Sequence, residues 1–226
     1  MKVMLLAAGK GTRMLPLTAT MPKPLLTVGG RSLIEHQILK LATAGFTELV
    51  INHSWLGQQI ETALGDGNRY GVKIQWSRED EPLETAGGIM QALPLLGSEQ
   101  FMVVNADIWT DFPFATLRTA LPTGGLAHLV LVANPAHHPH GDFVLNSKAQ
   151  LELPLHNEVN TFTYSGIAVF QPALFAGVTE RKYPLLPLLK NAIAARKASG
   201  QVHSGAWLDV GTPARLQELD QQLRKP

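Results

Sequence analysis

Cysteine is missing from all 226 residues. Disulfides, thiolate nucleophiles and thiolate metal sites are therefore excluded together, and a reducing compartment is the natural setting. Charge is scarce as well: only 16% of residues are charged, and nineteen Lys and Arg stand against eighteen Asp and Glu. So even a balance excludes a chain whose main partner is a nucleic-acid backbone or an anionic membrane. Cationic chemistry, if present, has to be local. No run approaches the roughly 20 apolar residues of a membrane span. The apolar stretch 3–8 stops at Gly9 and meets Lys10 and Arg13 at once, without the longer apolar region and cleavage site of a secretory leader. With 45% apolar residues to build a core, the expectation is a soluble cytoplasmic protein.

What is present is an alternation of strand and helix patterns through the first half. Residues 1–6, 49–51, 72–76 and 101–104 read as buried strands, and 56–64 and 88–96 as helices closed by Gly65 and Gly97. Ser32 and Glu35 form a capping box that opens a helix carrying Leu33, Ile34, Ile38, Leu39 and Leu41 and ending at Gly45. Such alternation predicts an α/β fold: a Rossmann-like, mostly parallel central sheet flanked by helices. After Asp107 the rhythm changes. Short strand patterns at 126–132, 142–145, 150–153 and 166–170 predict a smaller antiparallel insertion. Helical patterns return at 185–198 and 213–223, the second with Thr212 as N-cap and Pro213 in its first turn. With no linker, repeat or low-complexity tract, one domain over 1–226 is expected, its halves dividing near residue 110.

The richest segment is Leu6-Ala7-Ala8-Gly9-Lys10-Gly11-Thr12-Arg13-Met14, directly after the first strand. Glycines let a backbone approach a ligand closely, and exposed N–H groups beside Lys10 and Arg13 suit a polyphosphate. The segment is no dinucleotide fingerprint, since Met14 stands where the third glycine belongs, and it lacks the spacing of a Walker A loop. In Pro22-Lys23-Pro24-Leu25 a lysine sits between two prolines, on a backbone stiff enough to aim its ammonium. Asn105-Ala106-Asp107 ends an apolar strand, where open α/β sheets place their ligands. Trp207-Leu208-Asp209-Val210-Gly211-Thr212 supplies a second carboxylate far downstream. If Asp107 and Asp209 converge, they form an oxygen-rich site suited to Mg²⁺.

These four motifs, in this order and over nearly the whole chain, resemble the sugar-1-phosphate nucleotidyltransferases. The resemblance implies a single α/β domain with a nucleotide half, about 1–110, and a sugar half, about 111–226. It implies that Gly9, Gly11, Thr12 and Arg13 hold a nucleoside triphosphate, that Lys23 meets the α-phosphate, and that Asp107 and Asp209 bind Mg²⁺. Arg13 and Lys23 would be the catalytic cations. The stretch 79–88 resembles the base-reading loop, with Glu79, Thr85 and Gly87 at the base, Ala8 facing it, and Asn105 nearby. The implied substrates are UTP and a sugar 1-phosphate, N-acetylmuramic acid 1-phosphate ahead of mannose 1-phosphate with GTP; no nucleic acid or membrane partner is implied.

On the sugar side, Gly141 resembles the glycine that meets a sugar hydroxyl, and Tyr164 and Ser165 the strand that contacts the sugar. Glu152-Leu153-Pro154 stands where many members of the family have Glu-Lys-Pro, so Glu152 is matched and the phosphate-holding lysine is replaced by Leu153. Arg181 and Lys182 are candidates to replace that lysine. His137, His138 and His140, with His128, have a spacing open to a metal site. Pro135 and Pro139 argue instead for an exposed loop without ligand function.

Overall fold

The computed structural model describes residues 1–156 and 160–224. Thirteen strands and five α-helices alternate along it. In chain order they are β1 (Val3–Leu6), β2 (Thr27–Val28), β3 (Arg31–Ser32), α1 (Leu33–Thr43), β4 (Glu48–His53), α2 (Gly57–Leu64), β5 (Lys73–Arg78), α3 (Glu84–Leu96) and β6 (Phe101–Asn105). There follow β7 (Ile108–Thr110), β8 (Ala127–Val132), β9 (Phe143–Leu145), β10 (Leu151–Glu152), β11 (Thr161–Phe170), α4 (Leu186–Ala194), β12 (Ala198–Val202), β13 (Trp207–Asp209) and α5 (Pro213–Leu223).

One large sheet runs β10-β9-β11-β6-β1-β4-β5, with β8 beside β11 and β12 beside β8. The order β6-β1-β4-β5 is parallel throughout, and β11 joins it antiparallel through β6. The expected Rossmann-like parallel sheet and the expected antiparallel strands are thus both observed. The central strands are buried on both faces, which is why residues 101–104 read as an unbroken apolar run. One face packs Ile34, Ile38 and Leu41 of α1 against the sheet, and the other packs Ala86, Ile89 and Ala92 of α3. A third cluster of Met14, Leu26, Val28, Leu33, Val210 and Leu219 ties α5 to the segment after β1.

Three boundaries depart most from the sequence reading. Helix α3 opens at Glu84 rather than at residue 88, so Thr85 and Gly87 lie in its first turn and not in a loop. Its glycines signal close packing rather than a loop: a Cβ on Gly87 would stand 2.4 Å from the Arg181 carbonyl, and one on Gly88 2.6 Å from Glu79 Oε1. The helix expected over 185–198 ends at Ala194. Arg196 turns left-handed at φ 56°, and Ala198 begins a strand parallel to β8. Strand β11 starts at Thr161, five residues before the run at 166–170. Strands β7 and β13, which pair with each other, had no sequence signal strong enough to place them. Among the described residues no helix is long and apolar enough to cross a membrane.

Candidate active site

Three adjoining cavities open at the carboxyl ends of β1 and β6. The first, about 240 Å³, is lined by Gly9, Gly11, Thr12, Arg13, Lys23 and Asp107 among others. Gly11 is left-handed at φ 63°, and its carbonyl accepts the Met14 N–H at 2.8 Å and the Thr18 hydroxyl at 2.8 Å. Burial of Met14 holds this turn down, so Arg13 is presented by a fixed backbone. The Pro-Lys-Pro segment forms a short helical turn in which Lys23 is buried and ion-paired to Asp107. Such a lysine forfeits little conformational freedom on meeting an anion.

The second cavity, about 240 Å³, takes in Ala8, Gly9, Asn52, Glu79, Thr85 and Asn105. Glu79 is 6% exposed, and burial pushes its carboxyl above the usual range. Its oxygens are held separately: Asn52 Nδ2 donates to Oε1 at 2.6 Å and the Leu83 N–H to Oε2 at 3.1 Å.

The third cavity, about 390 Å³, is lined by residues from both halves, among them Arg13, Asn105, Asp107, His137, His138, Tyr164, Ser165, Trp207 and Asp209. The β7–β13 ribbon builds it. Asp209 pairs in register with Ile108, and the Val210 N–H donates to the Asp107 carbonyl at 3.1 Å, which brings two residues about a hundred positions apart into one cavity. Trp207 Nε1 donates to the Ser165 carbonyl at 2.9 Å, tying the ribbon to β11. Strand β11 shifts register between Tyr164 and Ile167, where Gly166 turns at φ 81° beneath the Asn105 side chain. The Ser165 hydroxyl is spent on the Val130 carbonyl at 2.7 Å, and burial pushes the Tyr164 hydroxyl far up.

Whether Asp107 and Asp209 suit a divalent cation follows from how they are held. Lys23 takes Oδ2 of Asp107, and Arg215 Nη1 takes Oδ2 of Asp209 at 2.9 Å. The Oδ1 of each has no protein partner among the described residues. Both residues line the third cavity, and two carboxylates there fit Mg²⁺, which is commonly bound through one or two carboxylates with water and phosphate completing its shell.

Most of the expected site residues are brought together here: Ala8, Gly9, Gly11, Thr12, Arg13, Lys23, Glu79, Thr85, Asn105, Asp107, Tyr164, Ser165 and Asp209 line these cavities. Three do not. Gly87 packs under residues 181–183, its N–H donating to the Tyr183 carbonyl at 3.0 Å. Gly141 shapes the loop carrying the histidines: at φ 59°, a Cβ there would meet the Asn134 side chain at 2.6 Å. Glu152 is exposed, accepts from Asn146 Nδ2 at 2.7 Å across the β9–β10 turn, and lines a separate cavity with Leu153, Lys190 and Arg196. Arg181 pairs with Asp80 at 3.2 Å, and neither it nor Lys182 is among the residues lining the third cavity. His137 and His138 lie in a loop, as the sequence reading has it, and His137 is exposed, but both also line the third cavity. Asn52 and Arg215 escaped notice because their importance lies in contacts 27 and 78 positions away, to Glu79 and His137.

A glycine-rich turn at parallel strand ends, a crevice beside it and a carboxylate pair in the adjoining cavity define a nucleotide-dependent transferase of the α/β class. The chain belongs to the nucleotidyl transferase family, whose model matches residues 2–225. It is 52% identical, over 96% of each chain, to the N-acetylmuramate alpha-1-phosphate uridylyltransferase of Neisseria meningitidis serogroup B. It is 32% identical to the mannose-1-phosphate guanyltransferase of Aspergillus oryzae, over 94% of this chain and 61% of that one. In three dimensions it is similar to a Bacillus anthracis protein described as a glucose-1-phosphate thymidylyltransferase, in complex with a sucrose. That similarity has a TM-score of 0.86 at 20% identity and covers 100% of this chain and 96% of that one.

Proposed function

We propose that the protein transfers a uridylyl group from UTP to N-acetylmuramic acid α-1-phosphate, releasing pyrophosphate, as a single nucleotidyltransferase domain. The observation that carries this reading is the 52% identity to the Neisseria uridylyltransferase over 96% of both chains; the guanyltransferase relative is more distant, at 32%. Such an activity belongs to recycling of cell-wall sugar in the cytoplasm.

The chemistry follows from the site. A phosphomonoester has a second pKa near 6, so the acceptor is already a good nucleophile at neutral pH, and no general base is needed. An acceptor phosphate oxygen attacks the α-phosphorus in line, and pyrophosphate leaves with the electron pair of the broken P–O bond. Two anions must be aligned for this, and the charge growing on the α-phosphoryl oxygens must be offset. Arg13, on its fixed turn, and Lys23, beside Asp107, are the cations for that task. Asp107 and Asp209 would hold Mg²⁺, which neutralises and orients phosphate oxygens when bound. The crevice of Ala8, Asn52, Glu79 and Thr85 takes the base, and Tyr164, Ser165 and Trp207 line the acceptor side.

The test is pyrophosphate release from UTP and GTP against N-acetylmuramate, N-acetylglucosamine, glucose and mannose 1-phosphates. The highest kcat/KM is expected for UTP with N-acetylmuramate 1-phosphate. A maximum for GTP with mannose 1-phosphate overturns the assignment.

A further inference from the structure

The third cavity is also lined by His137 and His138, whose segment the reaction described above does not use. The loop is held at both ends. Asn134 Nδ2 donates to the Thr161 hydroxyl at 2.9 Å, and Asp142 Oδ2 accepts the Tyr164 N–H at 2.8 Å. Within it, His137 Nε2 lies 2.9 Å from Arg215 Nη1. A guanidinium only donates, so Nε2 must accept and the ring proton sits on Nδ1. Arg215 thereby fixes the tautomer of His137, while the same Nη1 also holds Asp209 Oδ2. The outcome is a ring at the cavity wall whose Nδ1–H has no protein partner among the described residues.

The charges around that N–H favour an anion. Lys23 offsets Asp107 and Arg215 offsets Asp209. Arg13, which lines the same cavity, makes no ion pair among the described residues and is a cation without a protein counter-charge there. We infer that His137 is an acceptor-binding residue, donating its Nδ1–H to an anionic oxygen of the acceptor that the cavity receives. The inference rests on the proposed transfer to a sugar phosphate. Two parts of the acceptor carry such an oxygen, the phosphate and the lactyl carboxylate of N-acetylmuramate.

The variants His137→Ala and His137→Phe separate the N–H from the bulk of the ring, since phenylalanine keeps the ring and loses the donor. Acceptor KM and acceptor affinity by calorimetry are measured for N-acetylmuramate and N-acetylglucosamine 1-phosphates, with KM for UTP and Tm as controls. Loss of a hydrogen bond to a charged group predicts that both variants weaken acceptor binding about tenfold or more, with UTP affinity and Tm unchanged. An equal loss for both acceptors identifies the phosphate as the partner; a loss confined to N-acetylmuramate 1-phosphate identifies the carboxylate. Wild-type acceptor affinity in either variant overturns the inference. If the wild type instead works only with mannose 1-phosphate and GTP, the proposed activity fails, and the same comparison made with mannose 1-phosphate decides the role of His137.

Discussion

The Asn52 side chain joins the glycine-rich loop after β1 to Glu79: its Oδ1 accepts the Ala7 N–H at 2.9 Å, and its Nδ2 donates to Glu79 Oε1 at 2.6 Å. Because a backbone N–H can only donate, this contact also fixes which way the Asn52 amide faces. Both partners are buried, so truncation leaves two polar groups without hydrogen bonds, at roughly 1–3 kcal/mol each. Asn52→Ala is expected to lower Tm by several degrees and to raise KM for UTP more than it lowers kcat. Asn52→Asp places a second carboxylate against Glu79. Such a pair shares a proton, so its folded-state pKa is raised, and the stability it contributes is lost as pH rises. The Tm deficit of Asn52→Asp should therefore be larger at pH 8 than at pH 5, and an equal deficit at both would remove the network from the account.

Gly166 and Gly177 offer a paired comparison. Both are left-handed, at φ 81° and 83°, so alanine at either costs about 1 kcal/mol of backbone strain. They differ in what a Cβ meets: Asn105 Nδ2 at 2.6 Å for Gly166, and nothing within 4 Å for Gly177. Gly166→Ala must therefore push the Asn105 side chain, which lines two of the cavities. Thermal melts and steady-state kinetics should show both variants destabilised, but only Gly166→Ala with kcat/KM reduced about tenfold or more. Equal activity in the two would show that Asn105 is free to move without consequence.

Legibility in the sequence tracked the range of the contacts. The capping box at Ser32 and Glu35 and the Thr212 cap were readable because each device lies within four residues, and both are observed. The parallel half was readable because strands buried on both faces leave apolar runs. By contrast, Asp107 and Asp209 meet through a three-residue ribbon that carries no periodicity, and the sequence left their convergence as a condition. The helix expected to continue to residue 198 failed for a related reason. Helix propensity is high through the alanines at 192, 194 and 195, and pairing with β8 overrides it at Ala198. Pro135 and Pro139 did mark a loop, but a loop's composition is silent on which cavity it covers.

His128 provides a stability test away from the site. It is 6% exposed, and Gln201 Oε1 lies 3.1 Å from Nε2 and Ser199 Oγ 2.9 Å from Nδ1. Burial holds its pKa below the ordinary value of 6.5. The folded state then binds fewer protons than the unfolded state once pH drops under that value, so this group's contribution is present above pH 6.5 and lost as pH falls. His128→Gln, which does not titrate, should lose fewer degrees of Tm between pH 7.5 and 5.5 than the wild type. A wild-type slope in the variant would assign the acid sensitivity elsewhere.

The cation requirement is the most direct test of how Asp107 and Asp209 are used. If they hold Mg²⁺, excess EDTA should abolish pyrophosphate release and added Mg²⁺ should restore it. Asp107→Ala and Asp209→Ala should each lower kcat by about 10²-fold or more, the size commonly associated with losing one preorganised electrostatic contact, roughly 3 kcal/mol at the transition state. Neither change should unfold the protein, because each carboxylate faces a cavity rather than the packed core. The two variants should differ in one respect. Removing Asp107 leaves the buried Lys23 without its counter-charge, whereas Arg215, released from Asp209, keeps its bond to His137. Asp107→Ala is therefore expected to lose more in Tm than Asp209→Ala, while the two lose similar amounts in kcat. Activity that persists in EDTA, or near-wild-type kcat/KM in either variant, would show that these carboxylates serve only to hold Lys23 and Arg215 in place.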